Sequence, residues 1–497
     1  MVDEIDALEA NQTWDLVPRT PEISVVGSKW VYAIKMKPDG TLERNKARVV
    51  AQGFSQEYGI DYEETFAPVA KIQTVRCVLA VAAMKDWPLV QLDVKNAFLH
   101  GDLKETIYMA RPPGYTKGDA NTVCRLKRSL YGLKQAPRAW FEKFHGMIGQ
   151  AGFTQSQNDP SLFLRTTVHG LTVLLLYVDD MIISGDDHAG IKDLTESLHK
   201  AFKLKELGNV SYFLGLEIER TRHGILVSQQ KYIRDLLAEN QFENCKPCTT
   251  PMEQNLKLSR ARGDLLDDHT HYRTIVGSLR YISSTRPDIA YVVQVVSQYM
   301  GMARTMHLDA VHRILRYLRS TQDVGLFFPA KGEPVLEAFA DADFAGCVDI
   351  RRSTSGWCVR FGSSFVSWRC KKQDRVSKSS TEAEYRSMSE VSSELVWLKR
   401  LLGELGVACS EPMKLFGDNT SAIRIATNPV LHDRTKHIET HVHYIRELVT
   451  EGVIQLSYLS TEDQTADLLT KAVGTSRHWY LSNKLMLRKH HQFEGGC

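Results

Sequence analysis

The sequence has few cysteines and prolines, an almost balanced charge and no long apolar run. Its nine cysteines are odd in number and scattered, and the 32 glycines and 16 prolines among 497 residues form no fibrous repeat. A reducing compartment therefore fits better than a disulfide framework. Apolar stretches such as 173–178 are far shorter than the roughly 18–20 residues that span a bilayer, which predicts no membrane-spanning helix. The N-terminus is acidic where a secretory or transit peptide would be basic, so none is expected.

The charge distribution says more than the net charge of +3. Residues 27–52 carry six basic side chains against two acidic ones, and residues 124–143 carry six against one. Four aromatic side chains are interleaved in the second cluster: Tyr131, Trp140, Phe141 and Phe144. This mixture suits a phosphate backbone with stackable bases. A solvated face with core aromatics is an equally good interpretation of either cluster alone.

The length predicts about three domains of roughly 150 residues each. The first half mixes short strands with helical patterns, including a strand at 28–37 that reaches a turn at 38–40 and a short apolar strand at 90–93. Residues 272–325 show helical spacing. Farther on, the pattern predicts strands at 335–340, 354–361 and 364–370, a helix at 381–404, a strand at 413–416, helices from 420 and at 437–449, a strand at 454–459 and a final helix from 461. This order predicts an α/β domain with a mixed sheet.

Two adjacent carboxylates interrupt the apolar run 173–183. The run predicts a buried hairpin with Asp179 and Asp180 at its turn. A two-residue hairpin turn favours Asn-Gly or Asp-Gly, so a second Asp is a poor choice for folding alone. Two carboxylates about 4 Å apart repel by roughly 4 kcal/mol at an effective dielectric of ~20, and a divalent cation offsets this. Asp93 ends another apolar strand, where a two-metal phosphoryl-transfer site would place a third ligand.

Three segments of the first half resemble known motifs. Residues 177–180 (YVDD) resemble the catalytic hairpin of reverse transcriptases, and residues 91–98 (QLDVKNAF) resemble their first carboxylate motif. Residues 130–140 (LYGLKQAPRAW) are similar to the template and nucleotide motif of copia-type retrotransposons. The resemblance covers nearly the whole chain and continues through 46–53, 61–69, 213–218 and 285–289.

The resemblance implies an α+β and α/β multidomain fold: a right-hand polymerase with fingers and palm within 11–255, a helical thumb or connection region at 256–333, an RNase H-like mixed-sheet domain at 334–475 and a C-terminal tail at 476–497. It implies that Asp93 and Asp179 hold two Mg²⁺ ions, with Mn²⁺ as an alternative, beside Asp180. The implied substrate contacts are Lys46 and Arg48 for the triphosphate, Gln135 for the base and sugar, and Phe98 for the sugar 2′ position. For Phe98 a core aromatic remains the alternative.

A second set of acids lies in the C-terminal domain. Asp341 ends its first strand, Glu384 sits in the first turn of the long helix, Asp418 follows the fourth strand and Asp467 opens the last helix. Glu384 also completes a capping box with Thr381, and Asp467 also suits a helix N-terminus. Together, however, the four resemble the two-metal site of a copia-type RNase H.

Some details of this second site differ from the family pattern or stay open. Phe344 stands where a tryptophan is usual and Gly417 where a cysteine is frequent, and neither is a metal ligand. Glu384 is preferred over Glu382 because its Glu-Tyr pair resembles the Glu-Leu of cellular ribonucleases H. Residues expected to track the hybrid backbone are Arg369, Lys371, Lys372 and Arg375.

The resemblance therefore implies an RNA-directed DNA polymerase with RNase H activity. Its implied partners are an RNA template, a DNA primer, an RNA/DNA hybrid and deoxynucleoside triphosphates, in the cytoplasm within a virus-like particle or in the nucleus. The alternative is a truncated genomic remnant that binds nucleic acid without completing replication, since the sequence contains no capsid, protease or integrase region. The Cys245-x-x-Cys248 pair lacks zinc-site partners, and His437 and His441 are interpreted as surface histidines.

Overall fold

The computed structural model describes residues 1–36, 41–119, 121–409, 412–427 and 439–492. The helices are α1 (Val2–Ala10), α2 (Ile72–Lys85), α3 (Ala136–Gln150), α4 (His188–Ala201), α5 (Gln230–Glu239), α6 (Thr270–Ile282), α7 (Ala290–Ser297), α8 (Thr305–Ser320), α9 (Ser380–Glu404), α10 (Thr420–Thr427), α11 (Glu439–Thr450) and α12 (Thr475–Lys484). In the described part of the chain, no helix combines the length and the apolarity needed to cross a bilayer.

The strands of the first half are β1 (Trp14–Pro18), β2 (Val25–Val26), β3 (Ser28–Met36), β4 (Leu42–Ala51), β5 (Leu89–Val94), β6 (Asp102–Met109), β7 (Thr122–Arg128), β8 (Thr154–Gln155), β9 (Leu162–Thr167), β10 (Gly170–Tyr177), β11 (Asp180–Gly185) and β12 (Leu204–Asn209). The strands that follow are β13 (Tyr212–Phe213), β14 (Leu216–Thr221), β15 (Gly224–Ser228), β16 (Val324–Pro329), β17 (Leu336–Ala342), β18 (Thr354–Phe361), β19 (Ser364–Lys372), β20 (Met413–Gly417), β21 (Ile454–Tyr458) and β22 (Leu487–Lys489). The turn predicted at 38–40 lies outside the described residues.

Residues 1–70 and 89–209 form one compact unit. Its largest sheet has the strand order β12-β5-β11-β10-β9-β8. Helix α3 buries positions three or four residues apart, among them Trp140 and Phe144, as expected for an amphipathic helix. Both rings share one buried core with Leu174 of β10 and Ile183 of β11. This shared core holds the neighbouring ends of β5 and β11 in a defined place.

Two glycines bring the segment after β4 against the segment after β7. A Cβ on Gly53 would lie 2.0 Å from the carbonyl oxygen of Gly132, which no side chain could tolerate. Gly132 itself has φ +90°, a conformation that favours glycine. The Ala51 amide donates to the Tyr131 carbonyl at 2.8 Å beside this contact. The basic strand β4 is therefore fixed next to the aromatic Tyr131.

Residues 71–88 and those from 210 onward form the second unit. It contains helix α2, a sheet of order β13-β14-β15-β16-β22 and the helices α5 to α8, whose apolar faces share one core. The helical spacing predicted for 272–325 is confirmed by α6, α7 and α8. The predicted ranges 11–255 and 256–333 do not coincide with this division, because residues 71–88 and 210–255 pack within the second unit.

The last sheet has the order β19-β18-β17-β20-β21. Strand β17 is antiparallel to β18 and parallel to β20, and β20 is parallel to β21. The predicted meander, long helix and mixed sheet are therefore confirmed, and the α+β and α/β multidomain class is confirmed with them. In this arrangement the C-terminal ends of β17 and β20 lie side by side.

The helix predicted from residue 461 is wrong. Short 3-10 turns at Thr461–Asp463 and Thr465–Leu469 stand there, and α12 begins only at Thr475. The fully buried Gln464 accepts a hydrogen bond from the Ala466 amide and donates to the Ala340 carbonyl of β17 at 2.9 Å. This side chain ties the segment to the sheet and ends the first turn. The predicted tail is folded in its described part, since α12 leads to β22, an edge strand beside β16.

Candidate functional sites

The first acidic cluster lies where β5 ends and β11 begins. Asp180 pairs directly with Asp93 in the antiparallel register of these strands, and the Val94 amide donates to the Asp179 carbonyl at 2.9 Å. The prediction that Asp179 and Asp180 form the turn is wrong by one residue. Tyr177 pairs with Asp180 across the hairpin, so Val178 and Asp179 make the turn and Asp180 belongs to β11.

Val178 adopts a conformation that is unusual for a β-branched residue. Its φ is +57°, in the left-handed region that such side chains avoid. The Trp140 indole of α3 donates to the Val178 carbonyl at 2.6 Å and holds the turn in place. Backbone strain of this kind concentrates at functional sites, where the surrounding structure stabilises it.

Burial and mutual repulsion disfavour the ionised form of the carboxylates in this cluster. Burial raises the pKa of Asp180 to about 6, with further contributions from Asp179 and Asp93 and an opposing hydrogen bond from Gln91. Burial also raises the pKa of Asp179, and Asp93 adds to it. Positive charge in the cluster would relieve this repulsion, so the three carboxylates suit a divalent cation.

Cationic side chains of β4 stand near these acids. The positive charges of Arg48 and Lys46 act against the rise in the pKa of Asp179. Burial and the neighbouring Arg48 lower the pKa of Lys46. The Arg48 guanidinium lies 4.6 Å from the centre of the Tyr131 ring, a cation–π contact. Sequence reasoning missed Glu4 of α1, whose carboxylate binds the Val49 backbone and lies within electrostatic reach of both cations.

Gln135, which is predicted to contact the nucleotide, is buried in this structure, and its contact with a nucleotide stays a prediction. Its side chain is 0% exposed. Its amide oxygen accepts from Gln56 at 3.0 Å and its amide nitrogen donates to the Asp61 carbonyl at 3.1 Å. Both polar ends are therefore used within the protein, and Gln135 braces the segment around residues 56–61.

Phe98 lies on the short turn that follows β5. Its ring is half-buried and meets the Tyr131 ring at 5.4 Å in an edge-on contact. The residue also packs against two buried cores. The ring is therefore packed on one side and partly exposed on the other. Contact with the sugar 2′ position and a purely structural role in the core both stay predictions.

The second acidic cluster forms at the adjoining ends of β17 and β20. Asp341 is in β17, Asp418 follows β20, and Asp467 lies in the 3-10 turn at Thr465–Leu469. One oxygen from each lies within 4.8 Å of the others. Among the described residues no comparable group is formed by Asp93, Asp179 and Asp180. The group consists of carboxylate oxygens, including the buried Oδ1 atom of Asp467, and such oxygens are the ligands that a hard cation prefers.

Glu384 belongs to this cluster, and Glu382 does not. Glu384 is hydrogen-bonded to Asp341 and to the Ala342 backbone. Burial, then Asp341 and Asp418, raise the pKa of Glu384 to about 10. Helix phase explains the difference, because residues two positions apart on a helix do not share a face.

The capping box predicted for Thr381 and Glu384 is wrong. The residue that caps α9 is Ser379, whose hydroxyl accepts from the Glu382 amide at 3.1 Å. Glu382 in turn accepts from the Lys378 amide at 2.8 Å and pairs with Arg386 at 2.9 Å. The helix therefore starts one residue earlier than predicted, and its capping acid is Glu382.

Two cations that sequence reasoning missed neutralise Asp467. Lys471 Nζ lies 2.8 Å from Asp467 Oδ1, and an Arg477 nitrogen lies 2.5 Å from Oδ2. Burial and Asp341 raise the pKa of Asp467 to about 6 against the effect of both cations. Thr470 donates its hydroxyl proton to Asp341. The signal was present in the sequence, since Lys471 stands four residues after Asp467.

Strand β19 carries three of the four residues predicted to track a nucleic-acid backbone, and Arg375 follows the strand. Arg369 is exposed, Lys371 pairs with Asp374 at 3.4 Å, and Lys372 Nζ lies 3.0 Å from the Cys347 sulfur. Their contact with nucleic acid stays a prediction.

Sequence reasoning also missed the acid Asp343, whose pKa is raised to about 6 by burial and by Asp341.

The two histidines interpreted as surface groups have different outcomes. His437 lies outside the described residues. His441 is half-buried, and its Nδ1 lies 2.9 Å from the Ser389 hydroxyl of α9, so it is part of a helix contact and not a free surface group.

The sequence is similar to a known protein family and to known polyproteins. Residues 11–254 match the family described as reverse transcriptase (RNA-dependent DNA polymerase). The retrovirus-related Pol polyprotein from transposon RE1 of Arabidopsis thaliana is 44% identical over 487 residues, which cover 98% of this chain and 33% of that protein. The corresponding polyprotein from transposon TNT 1-94 of Nicotiana tabacum is 41% identical over 490 residues, covering 96% of this chain and 37% of that protein.

Solved structures give a more distant match. A foamy viral protease-reverse transcriptase in complex with RNA/DNA hybrid has a TM-score of 0.49 and 13% identity, and the match covers 92% of this chain and 52% of that chain. The chain spans about a third of the length of the curated relatives named above. On the sequence relationship, the chain belongs to the retrovirus-related Pol polyproteins of copia-type retrotransposons, with its reverse transcriptase region at residues 11–254.

Proposed function

We propose that this chain is an RNA-directed DNA polymerase and ribonuclease H with one two-metal centre in each of its units. The observation that carries the polymerase is the pairing of Asp180 with Asp93 across two buried strands, with Asp179 beside them in a turn held by Trp140. The family relationship supports the same assignment.

In the polymerase centre, Asp93 and Asp179 would hold divalent cations with Asp180 adjacent. Bound Mg²⁺ would lower the pKa of the primer 3′-hydroxyl and balance the charge of the leaving pyrophosphate. Lys46 and Arg48 would neutralise the incoming triphosphate, since both lie within electrostatic reach of Asp179. The stacking of Arg48 on Tyr131 orients its guanidinium in advance of binding.

In the ribonuclease centre, Asp341, Glu384, Asp418 and Asp467 would hold divalent cations against the RNA strand of a hybrid. Thr470 orients Asp341, and Arg477 orients Asp467. The Asp418 carboxylate accepts a hydrogen bond from Thr461 at 2.9 Å, which fixes its second oxygen. The exposed Arg369 is proposed to contact the hybrid backbone.

Primer extension on a poly-rA template with an oligo-dT primer and Mg²⁺ tests the polymerase. Extension should be lost in Asp179→Asn and kept in Asp102→Asn, which removes a surface carboxylate that pairs with Lys143 at 2.7 Å in the same unit. Extension by Asp179→Asn at the parental rate would refute the assignment.

A second measurement separates the enzyme from a remnant that only binds. If the folded parental chain extends no primer and cleaves no hybrid, yet binds a labelled hybrid in fluorescence anisotropy, the non-replicating alternative is correct. Cleavage of a labelled RNA/DNA hybrid that is lost in Asp418→Asn supports the ribonuclease independently of the polymerase.

A further inference from the structure

The ammonium group of Lys471 lies among the carboxylates of the second cluster. Its Nζ is 2.8 Å from Asp467 Oδ1 and 3.6 Å from Asp341 Oδ2, so it touches two of the proposed metal ligands. The Asp467 and Asp341 side chains are 1% and 4% exposed, whereas the Lys471 side chain is 41% exposed. The lysine therefore enters a buried cluster from its open side.

Arg477 binds the other oxygen of Asp467 in a different way. It also donates to the Thr461 carbonyl, so two acceptors fix its guanidinium. Asp467 Oδ1, by contrast, is buried, and its partner among the described residues is the ammonium group of Lys471. One oxygen of Asp467 is thus held by a fixed cation and the other by a cation with a path to solvent.

We propose that Lys471 is a displaceable internal counter-ion, which neutralises the ribonuclease cluster until a divalent cation takes its place. This inference rests on the proposed ribonuclease centre. A single ammonium offsets the repulsion between Asp341 and Asp467, but Mg²⁺ or Mn²⁺ needs the same oxygens for its own coordination. Metal binding must therefore break the Lys471 ion pairs, and Lys471 sets the metal concentration at which the centre fills.

The direct test is a Mn²⁺ titration followed by electron paramagnetic resonance. It uses the full chain carrying Asp179→Asn, which removes a ligand of the first cluster. Lys471→Met should bind Mn²⁺ about tenfold more tightly, the size expected when one charge-assisted hydrogen bond no longer competes. Lys471→Arg should bind close to the parental chain because it keeps the charge. Lys484→Met is the matched control, since it breaks the Lys484–Asp463 pair of 2.5 Å in the same unit and should leave the affinity unchanged.

Thermal unfolding gives a second readout. With EDTA present, Lys471→Met should unfold at a lower temperature than the parental chain, because the acids lose their counter-ion, and saturating Mn²⁺ should close this gap. An equal loss with and without metal, at unchanged Mn²⁺ affinity, would mean a merely structural lysine and would overturn the proposal. Unchanged Mn²⁺ affinity with weaker hybrid binding would mean a phosphate contact and would also overturn it.

The outcome is separable from the proposed activity. If no variant cleaves hybrid but Lys471→Met tightens Mn²⁺ binding as expected, the counter-ion role stands and the ribonuclease assignment fails. If hybrid is cleaved and Asp418→Asn abolishes cleavage while Lys471→Met leaves Mn²⁺ affinity unchanged, the ribonuclease stands and the counter-ion role is refuted.

Discussion

Replacing Glu384 by glutamine should stabilise the metal-free chain and abolish hybrid cleavage. Glu384 is buried, and burial with Asp341 and Asp418 raises its pKa from 4.5 to about 10. In the folded chain this group keeps its proton at pH values where the unfolded chain has lost it. The free energy of unfolding therefore falls as the pH rises from about 4.5 toward 10.

The size of this effect follows from the pKa. Between pH 4.5 and pH 7, Glu384 is ionised in the unfolded chain and protonated in the folded chain. Over these roughly 2.5 pH units the free energy of unfolding falls by about 1.36 kcal/mol per unit, which amounts to about 3 kcal/mol. Glutamine does not ionise and keeps the same shape. We expect Glu384→Gln to raise the free energy of unfolding by about 1–3 kcal/mol at pH 7 in EDTA, with little change near pH 4.

Differential scanning calorimetry of both chains between pH 4 and pH 8 in EDTA measures this difference. The matched control is Glu382→Gln, two residues earlier on the same helix. That change removes the charge that pairs with the mostly buried Arg386 and weakens the helix start, so it should lower the free energy of unfolding by about 1–2 kcal/mol and leave hybrid cleavage intact. If Glu384→Gln destabilises and still cleaves, while Glu382→Gln loses cleavage, the assignment of the two residues is reversed.

Three further changes test the first unit. Asp180→Asn should abolish primer extension and leave the unfolding midpoint at pH 7 unchanged or higher. The pKa of Asp180 is raised to about 6 in the folded chain, so its carboxylate lowers the free energy of unfolding as the pH rises from about 4 to 6. Calorimetry at pH 4 and pH 7 checks the sign of this change. Phe98→Val should raise the incorporation of ribonucleotides relative to deoxyribonucleotides in a competitive single-nucleotide assay. If the ring that contacts Tyr131 is only a core group, this ratio stays constant and the free energy of unfolding falls by about 1–4 kcal/mol. Gln135→Leu should lower stability by about 1–3 kcal/mol, because Gln56 loses a buried partner, and should leave the KM for dTTP unchanged. An unchanged unfolding midpoint with a raised KM would instead support Gln135 as a nucleotide contact.

The sequence by itself determined the order of the elements that form the last sheet, up to its final strand, and the positions of the acids along them. The strand predicted at 354–361 and the long helix predicted at 381–404 were placed within one residue, because the periodicity of apolar side chains is a local property. The four acids of the second cluster were named because their motifs resemble those of a copia-type RNase H.

Only the tertiary structure decided which of several adjacent polar residues faces a site. The turn lies one residue earlier than predicted because Asp180 pairs with Asp93 on a strand distant in sequence. The resemblance already favours Glu384 over Glu382, and the structure adds that Glu384 is hydrogen-bonded to Asp341. The buried hydrogen bonds of Gln135 and the ion pair between Lys471 and Asp467 were likewise established by the tertiary structure. Strand register, the face that a helix turns inward and the pairing of charges depend on contacts between segments far apart in the chain, so local sequence patterns alone do not fix them.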